Sequence, residues 1–159
     1  MSTVHDRETF DCGNEALNSF FKNVAGQHDS KSVSKTFVIA DDEDRARVAG
    51  FYTLAMRKLT PKEQLPPEIA KRLPASLPGI TLARLAVDKN YQRRGVGEDL
   101  LLSAMSRAKK VSHEIGGFAL FVDAKDGVAE FYKNYGFTPL PSNPLILLIP
   151  FKNIPDDAD

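Results

Sequence analysis

The sequence lacks the features of disulfide-bonded, strongly basic and membrane-spanning proteins. Cys12 is its one cysteine, which excludes an intrachain disulfide and a cysteine-based metal cluster. Lysine plus arginine equals aspartate plus glutamate, at 21 each, so no overall positive charge indicates a nucleic-acid-binding protein. The start, MSTVHDRETFDCG, lacks the apolar core of a signal peptide, and the apolar stretch LILLIPF at 145–151 is only strand-sized. We therefore expect a cytoplasmic protein that does not enter a membrane.

The amino-acid composition is typical of a folded globular protein. Hydrophobic residues make up 42% of the sequence and charged residues 26%, which argues against disorder along the whole length. A chain of 159 residues can bury a substantial core and most simply forms one domain, so we expect a single domain over residues 1–159. The three histidines are scattered without the spacing of metal ligands, so no metal site is expected.

Hydrophobic periodicity predicts alternating helices and strands in the second half of the chain. Helices are predicted over 14–25, with Gly26 as the stop, and over 68–73, 96–111 and 128–135. Strands are predicted over 36–40, 48–56, 80–87, 118–122, 137–140 and 145–151. An order of one helix, several strands and then β-α-β-α-β predicts an α/β (mixed α+β) fold with helices on both faces of a mixed sheet.

The stretch QRRGVG, at 92–97, joins a buried strand to an amphipathic helix. Gly95 and Gly97 let the backbone turn tightly and remove the Cβ atoms that would keep a ligand away. A helix that begins here directs free N–H groups and the positive end of its dipole at that space. Together with Arg93 and Arg94, the stretch predicts a phosphate-binding loop.

The simplest alternative to a phosphate-binding loop is an ordinary strand-to-helix turn that contains glycine. A nucleoside-triphosphate loop does not fit because no Gly-Lys-Ser/Thr follows, and the dinucleotide fingerprint lacks its third glycine. The pattern Gln-x-x-Gly-x-Gly after the strand LARLAVD instead resembles the pyrophosphate motif of the GNAT acetyltransferases, which use acetyl-coenzyme A. AEFYKNYGFTPL, at 129–140, is similar to the F-Y-x-x-x-G-F of that family. The resemblance implies the GNAT fold, with a central mixed, mostly antiparallel sheet flanked by helices.

Further blocks resemble one branch of that family, the acetyltransferase toxins of bacterial type II toxin–antitoxin pairs. They are FDCGNEALNSFF (10–21), SKTFVIAD (34–41), VAGFYTLA (48–55), TLARLAVDKNYQRRGVGEDLL (81–101) and FTPLPSNPLILLIPF (137–151). Known members of the branch acetylate the amino group of an aminoacyl-tRNA and so stop translation. The resemblance also implies a ribbon-helix-helix antitoxin as partner and a homodimer.

The resemblance assigns roles to individual residues. The pantetheine arm is expected to pair with the strand backbone, and the pyrophosphate to lie on the loop that follows. The expected cofactor-binding residues are Leu85, Ala86, Val87, Gln92, Arg93, Arg94, Gly95, Val96, Gly97 and Phe131. Contacts to tRNA are expected from Lys22, Lys35 and Arg84, although each of them alone is more often a surface charge.

Tyr132 occupies the position at which the family's tyrosine commonly protonates the coenzyme A sulfur. A phenol with an ordinary pKa of about 10 keeps its proton at neutral pH, as an acid must. A core aromatic with a surface hydroxyl is the alternative interpretation. Tyr135 lies three residues on, but the spacing to Gly136 favours Tyr132.

Many family members also carry a glutamate base on the central strand, whereas 80–87 contains no carboxylate and the nearest is Asp88. An α-amino group has a pKa of about 7.7–8.0, and esterification to tRNA lowers it, so it needs no strong base. The missing carboxylate therefore favours an aminoacyl acceptor. Two alternatives stay open: a GNAT enzyme for a small amine or a protein lysine, and a non-catalytic scaffold that binds coenzyme A or an antitoxin.

Overall fold

The fold is a six-stranded sheet with helices, and a computed structural model describes it for residues 5–125 and 127–156. The helices are α1 (Glu15–Asn23), α2 (Ala25–Ser30), α3 (Pro67–Ala70), α4 (Val96–Ile115) and α5 (Ala129–Lys133). The strands are β1 (Lys35–Ala40), β2 (Val48–Pro61), β3 (Ser76–Val87), β4 (Ala119–Asp123), β5 (Thr138–Leu140) and β6 (Asn143–Pro150). Short 3₁₀ helices cover Lys62–Gln64 and Phe151–Asn153.

The strand order of the sheet is β1-β2-β3-β4-β6-β5. The pairs β1/β2, β4/β6 and β5/β6 are antiparallel, and β3/β4 is parallel. A parallel pair needs a long crossover, and α4 provides it between β3 and β4. The prediction of a mixed, mostly antiparallel sheet is therefore confirmed.

The chain forms two compact units. The first comprises the residues through Ala55 together with Ala83–Ala104, and the second comprises Met56–Leu82 and the residues from Met105 onward. Strands β2 and β3 and helix α4 each contribute to both. A single domain over residues 1–159 stays a prediction.

Aromatic rings form the core of the first unit. Phe21 stacks on Phe51 of β2 with centroids 4.5 Å apart, and Phe10 contacts both rings edge-on. Such pairs add about 0.5–1.5 kcal/mol beyond the area they bury. Phe51 thus faces α1, and its neighbour Gly50 faces the opposite side, where a Cβ would lie 2.7 Å from Leu100 of α4. Helices therefore cover both faces of the sheet in this unit, as the sequence predicts.

Aliphatic side chains dominate the core of the second unit, which contains Leu65, Leu77, Ala119, Phe121, Leu140 and Leu148. A Cβ at Gly79 would lie 2.6 Å from the Phe121 ring on the paired strand, so this position excludes larger residues. Pro78 accepts a backbone hydrogen bond from Phe118, which lengthens β3 back into the proline-rich segment. Strand β3 begins at Ser76 and β2 extends to Pro61, beyond the predicted ends.

The prediction of one helix over 14–25 that stops at Gly26 is wrong. Helix α1 ends at Asn23, and Val24 has φ −120° and ψ −39°, which turns the chain into a second helix that contains Gly26. The Arg7 guanidinium lies 2.9 Å from the point where a Cβ of Gly26 would stand. Gly26 therefore lies inside a helix beside Arg7, and it does not end a helix.

Candidate active site

The stretch QRRGVG forms the turn between β3 and α4, as expected from the sequence. Arg93 has φ 65° and Gly95 has φ 80°, so two residues of one short turn adopt the left-handed conformation. This conformation is uncommon and strained for an arginine, and such residues concentrate at functional sites. A Cβ at Gly95 would meet open space, which leaves the backbone of the turn accessible to a ligand.

Helix α4 begins at Val96, and the first N–H groups of a helix have no partner within it. The helix has 20 residues, so the positive end of its dipole reinforces these donors. Gly97 is the second residue, and a Cβ there would lie 3.7 Å from Val87 Cγ2, an ordinary contact. The fold therefore tolerates a side chain at this position.

Gln92 ties the turn to the end of β3. Its carboxamide donates to the carbonyl of Val87 at 3.1 Å and to that of Cys12 at 3.4 Å. A side-chain amide that satisfies two backbone carbonyls fixes the path of the chain. Gln92 thus shapes the entry to the loop.

Asp88, which follows β3 directly, is fully buried. Its carboxylate accepts the backbone N–H groups of Asp11 at 3.0 Å and Asn90 at 2.9 Å, and it lies 3.8 Å from the Arg47 guanidinium. Buried charges persist only when they are paired and hydrogen-bonded in this way. Asp88 therefore anchors the strand end, and its position does not suit a base that accepts a proton from a substrate.

Leu85, Ala86 and Val87 end strand β3. Ala86 is buried against the aromatic core, and Leu85 and Val87 are half-buried. The parallel ladder joins Gly79–Leu82 to residues 119–122 of β4 and ends there. The three residues therefore lie on the part of β3 that continues past the ladder.

Tyr132 belongs to helix α5 in the second unit. Its side chain is 6% exposed and packs edge-on against Phe131 and Phe137, with centroids 5.2 and 5.6 Å away. Burial raises the pKa of the Tyr132 hydroxyl to about 12. Tyr135 is half-buried and contacts Phe131 at 5.4 Å. Gly136 then turns the chain with φ 95°.

The three residues expected to contact tRNA all lie in the first unit. Arg84 places its guanidinium carbon 3.7 Å from the centroid of the Phe20 ring, and burial lowers its pKa. Lys35 donates to the Asp29 carboxylate at 3.1 Å and to the Asp29 carbonyl at 3.0 Å. Lys22 is half-buried in the last turn of α1. Arg84 is thus held against the aromatic core, while Lys35 forms a surface ion pair.

Sequence reasoning missed the residues that support the loop. Tyr91 donates a hydrogen bond to Asp41 at 2.5 Å, and the Arg47 and Arg94 guanidinium groups lie against its ring. These residues are up to 53 positions apart (94 − 41) in the sequence, so no local pattern links them. The one available signal was the position of Tyr91 directly before QRRGVG.

The described residues offer neither a metal site nor a membrane-spanning helix. Within 5–125 and 127–156, no group of three or more histidine, cysteine or acidic residues could hold a metal ion. In the same ranges, no helix is long and apolar enough to cross a membrane.

Comparison with known proteins identifies relatives of this architecture. The family model of the acetyltransferase (GNAT) domain matches residues 33–139. The tRNA-acetylating toxin of Mycobacterium tuberculosis (strain ATCC 25618 / H37Rv) is 32% identical over 154 residues, which cover 96% of this chain and 90% of that protein.

Two solved structures share the fold over most of their length. AtaT complexed with acetyl-methionyl-tRNAfMet superposes with a TM-score of 0.88 at 31% identity, covering 96% of this chain and 92% of that one. A tyrosine-to-phenylalanine mutant of AtaT, bound to the C-terminus of the antitoxin AtaR and to acetyl-CoA, gives a TM-score of 0.79 at 31% identity. That match covers 94% of this chain and 88% of the other.

Proposed function

Because this chain belongs to the GNAT acetyltransferase family, we propose that it transfers an acetyl group from acetyl-coenzyme A to the amino group of an aminoacyl-tRNA. In this role it is the toxin of a toxin–antitoxin pair and stops translation. The observation that carries the proposal is similarity over 96% of the chain to a tRNA-acetylating toxin, combined with an intact loop at 92–97.

The turn between β3 and α4 suits a pyrophosphate. Gly95 leaves the backbone open, Arg93 is held in a left-handed conformation, and the N-terminus of α4 supplies donors. We expect the backbone from Arg93 to Gly97, with the side chain of Arg94, to bind the phosphates. Leu85, Ala86 and Val87 would pair through their backbone with the pantetheine arm, and Phe131 would contact the cofactor.

Acetyl-coenzyme A supplies the acetyl group as a thioester. A new bond forms between the acceptor nitrogen and the acetyl carbon, the carbon–sulfur bond breaks, and the departing thiolate needs a proton. Tyr132 is the group we propose for that proton, because its raised pKa keeps the hydroxyl protonated at neutral pH. Solvent takes the proton that the amine loses and returns one to Tyr132, so that the enzyme is ready for the next cycle.

The acceptor is proposed from the acid–base properties of the site. Strand β3 carries no carboxylate, and Asp88 at its end is buried and hydrogen-bonded. A lysine amine with an ordinary pKa of about 10.4 would need a base to become neutral. The α-amino group of an aminoacyl ester has a much lower pKa and reacts without one, so an aminoacyl-tRNA is the acceptor that this site suits.

Arg84 adjoins the residues assigned to the pantetheine arm. Its contact with Phe20 fixes a positive charge beside β3, where we propose that it contacts the acceptor end of the tRNA. Lys22 and Lys35 would contact phosphates farther along the RNA. Cations that contact phosphates set the salt dependence of binding more than its specificity.

The partners follow from the same proposal. AtaT binds the C-terminus of the antitoxin AtaR in a solved structure, and we propose that this chain is neutralised by a comparable antitoxin of the ribbon-helix-helix class. We also propose a homodimer that acts in the cytoplasm, where charged tRNA is found.

Incubation with labelled acetyl-coenzyme A and charged total tRNA tests the reaction. We expect label on an aminoacyl-tRNA fraction, and hydrolysis of that fraction would release an N-acetyl amino acid that identifies the acceptor. Uncharged tRNA is the matched control and should stay unlabelled. Label on proteins or free amines alone would favour an ordinary GNAT enzyme, and binding of coenzyme A without any transfer would favour a non-catalytic scaffold.

A further inference from the structure

Tyr91 lies at the junction of the loop at 92–97 and the turn between β1 and β2. Its hydroxyl donates to Asp41 Oδ2 at 2.5 Å, across 50 residues of sequence. Asp41 is itself fixed, because its Oδ1 accepts the backbone N–H groups of Glu43 at 2.8 Å and Asp44 at 3.3 Å. The hydrogen bond lowers the pKa of Asp41 and raises that of Tyr91. Both shifts favour a carboxylate that accepts and a phenol that donates.

Two arginines lie against the Tyr91 ring. The guanidinium carbon of Arg94 is 5.4 Å from the ring centroid and that of Arg47 is 5.7 Å away, both within cation–π distance. Arg47 is held in turn by Asp88 at 3.8 Å. Arg94 is otherwise exposed and belongs to the loop assigned to the pyrophosphate. The Tyr91 ring is therefore a surface on which the Arg94 guanidinium lies.

The orientation of the Tyr91 ring depends on its hydroxyl more than on packing of the ring. A cavity of about 410 Å³ lies beside Tyr91, lined by Ile39, Ala40, Asp41, Asp42, Glu43, Ala49, Tyr91, Arg94 and Val96. A ring that borders open space is not fixed by close packing on every side. The hydrogen bond to Asp41 therefore fixes the direction in which the ring points.

We propose that Tyr91 is a positioning residue for cofactor binding: its bond to Asp41 fixes the ring against which Arg94 lies, and so holds the Arg94 guanidinium ready for the cofactor phosphates. The inference rests on the proposed function, because it takes the loop to bind acetyl-coenzyme A. Ordering a long arginine side chain before binding lowers the entropy lost when the phosphates arrive. Tyr91 itself touches no reacting atom.

Tyr91→Phe is the direct test, since it removes one oxygen and keeps the ring. Loss of one hydrogen bond should weaken acetyl-coenzyme A binding about threefold to tenfold, measured by calorimetry without any acceptor. KM for acetyl-coenzyme A should rise by the same factor, with kcat close to that of the wild type. Asp41→Asn removes the charge from the other end of the bond and should give the same change. Thermal melting verifies that both variants are folded.

A double-mutant cycle separates positioning from a general loss of loop structure. In an Arg94→Ala background, Tyr91→Phe should have almost no further effect, because the side chain it positions is gone. In an Arg93→Ala background, Tyr91→Phe should keep its full effect, which makes the neighbouring arginine the matched control. An undiminished effect of Tyr91→Phe in the Arg94→Ala protein would overturn the inference, as would unchanged affinity in Tyr91→Phe itself. Failure of the wild type to bind acetyl-coenzyme A would instead contradict the proposed function.

Discussion

At the scale of single residues, Tyr132 is a buried phenol and not a surface one. The side chain is buried among aromatic rings, and burial disfavours the charged phenolate, so the hydroxyl keeps its proton at neutral pH. We propose that it gives this proton to the thiolate as coenzyme A leaves. The same burial gives the ring a packing role, so a test must remove the hydroxyl and keep the ring.

Tyr132→Phe should be folded, should bind acetyl-coenzyme A like the wild type and should be nearly inactive. Loss of a general acid typically reduces the rate about a hundredfold or more, whereas loss of a non-participating hydroxyl changes it little. The measurement is the rate of acetylation of charged tRNA at saturating cofactor. Tyr135→Phe is the control, because Tyr135 contacts the same Phe131 ring. Its rate of acetylation should stay close to that of the wild type. Full activity of Tyr132→Phe would remove Tyr132 from the mechanism.

A second residue-scale prediction concerns Asp11 and acid stability. Hydrogen bonds from the Gly13 backbone and the Asn18 side chain, with Lys89 beside it, lower the pKa of Asp11 from 3.8 to about 2. A carboxylate with a lowered pKa in the folded state stabilises the protein above its unfolded pKa, and this contribution is lost as the pH falls through the folded pKa.

The test compares urea unfolding of the wild type and Asp11→Asn from neutral pH downward. The wild type should be the more stable protein near neutral pH, and the difference in free energy of unfolding should shrink between about pH 4 and pH 2. Asp42→Asn is the control, since its side chain is almost fully exposed. A difference that stays constant across this pH range would contradict the assignment.

At the scale of elements, the join between β3 and α4 shows what sequence can predict. Apolar runs, the helical repeat and the two glycines all act locally, so the sequence predicts the end of the strand, the loop and the start of the helix where the structure has them. Gly26 and Gly50 show where local rules fail. Gly26 accommodates Arg7, and Gly50 lies beneath Leu100, contacts between residues far apart in the sequence. Glycines of this kind cannot be told from helix stops or bulges without tertiary structure.

Gly97→Val tests the loop as an element. The added Cβ would lie in ordinary contact with Val87, and valine favours a helix more than glycine does, so the melting temperature should not fall. The branched side chain would cover the N–H groups of the first turn, so affinity for acetyl-coenzyme A should fall at least about tenfold, since charge-assisted hydrogen bonds are lost. Calorimetry measures the affinity. Unchanged affinity in the folded variant would show that the phosphates bind elsewhere.

At the scale of the whole molecule, the charge balance gives no sign of the function that we propose. A net charge of zero gives no sign of an RNA substrate, yet the chain is 32% identical to a tRNA-acetylating toxin over nearly its full length. Sequence motifs led to the family because the loop and the F-Y-x-x-x-G-F segment are local. The cluster of Asp41, Arg47, Asp88 and Tyr91 could not be found in that way, since it forms only when separate segments fold together.

The last prediction concerns the protein in a living cell. Expression of the wild type alone should slow growth and protein synthesis, because an acetylated aminoacyl-tRNA lacks the free amino group that peptide bond formation requires. Co-expression of the small antitoxin we expect from a neighbouring gene should restore both. Tyr132→Phe is the matched control, as it should still fold and bind cofactor but should not be toxic. Pulse labelling of new protein, together with detection of N-acetyl aminoacyl-tRNA, distinguishes this mechanism from a general burden of expression. If the wild type is expressed at the same level as Tyr132→Phe and translation is not slower, the toxin assignment is wrong. The protein would then be an acetyltransferase with another acceptor.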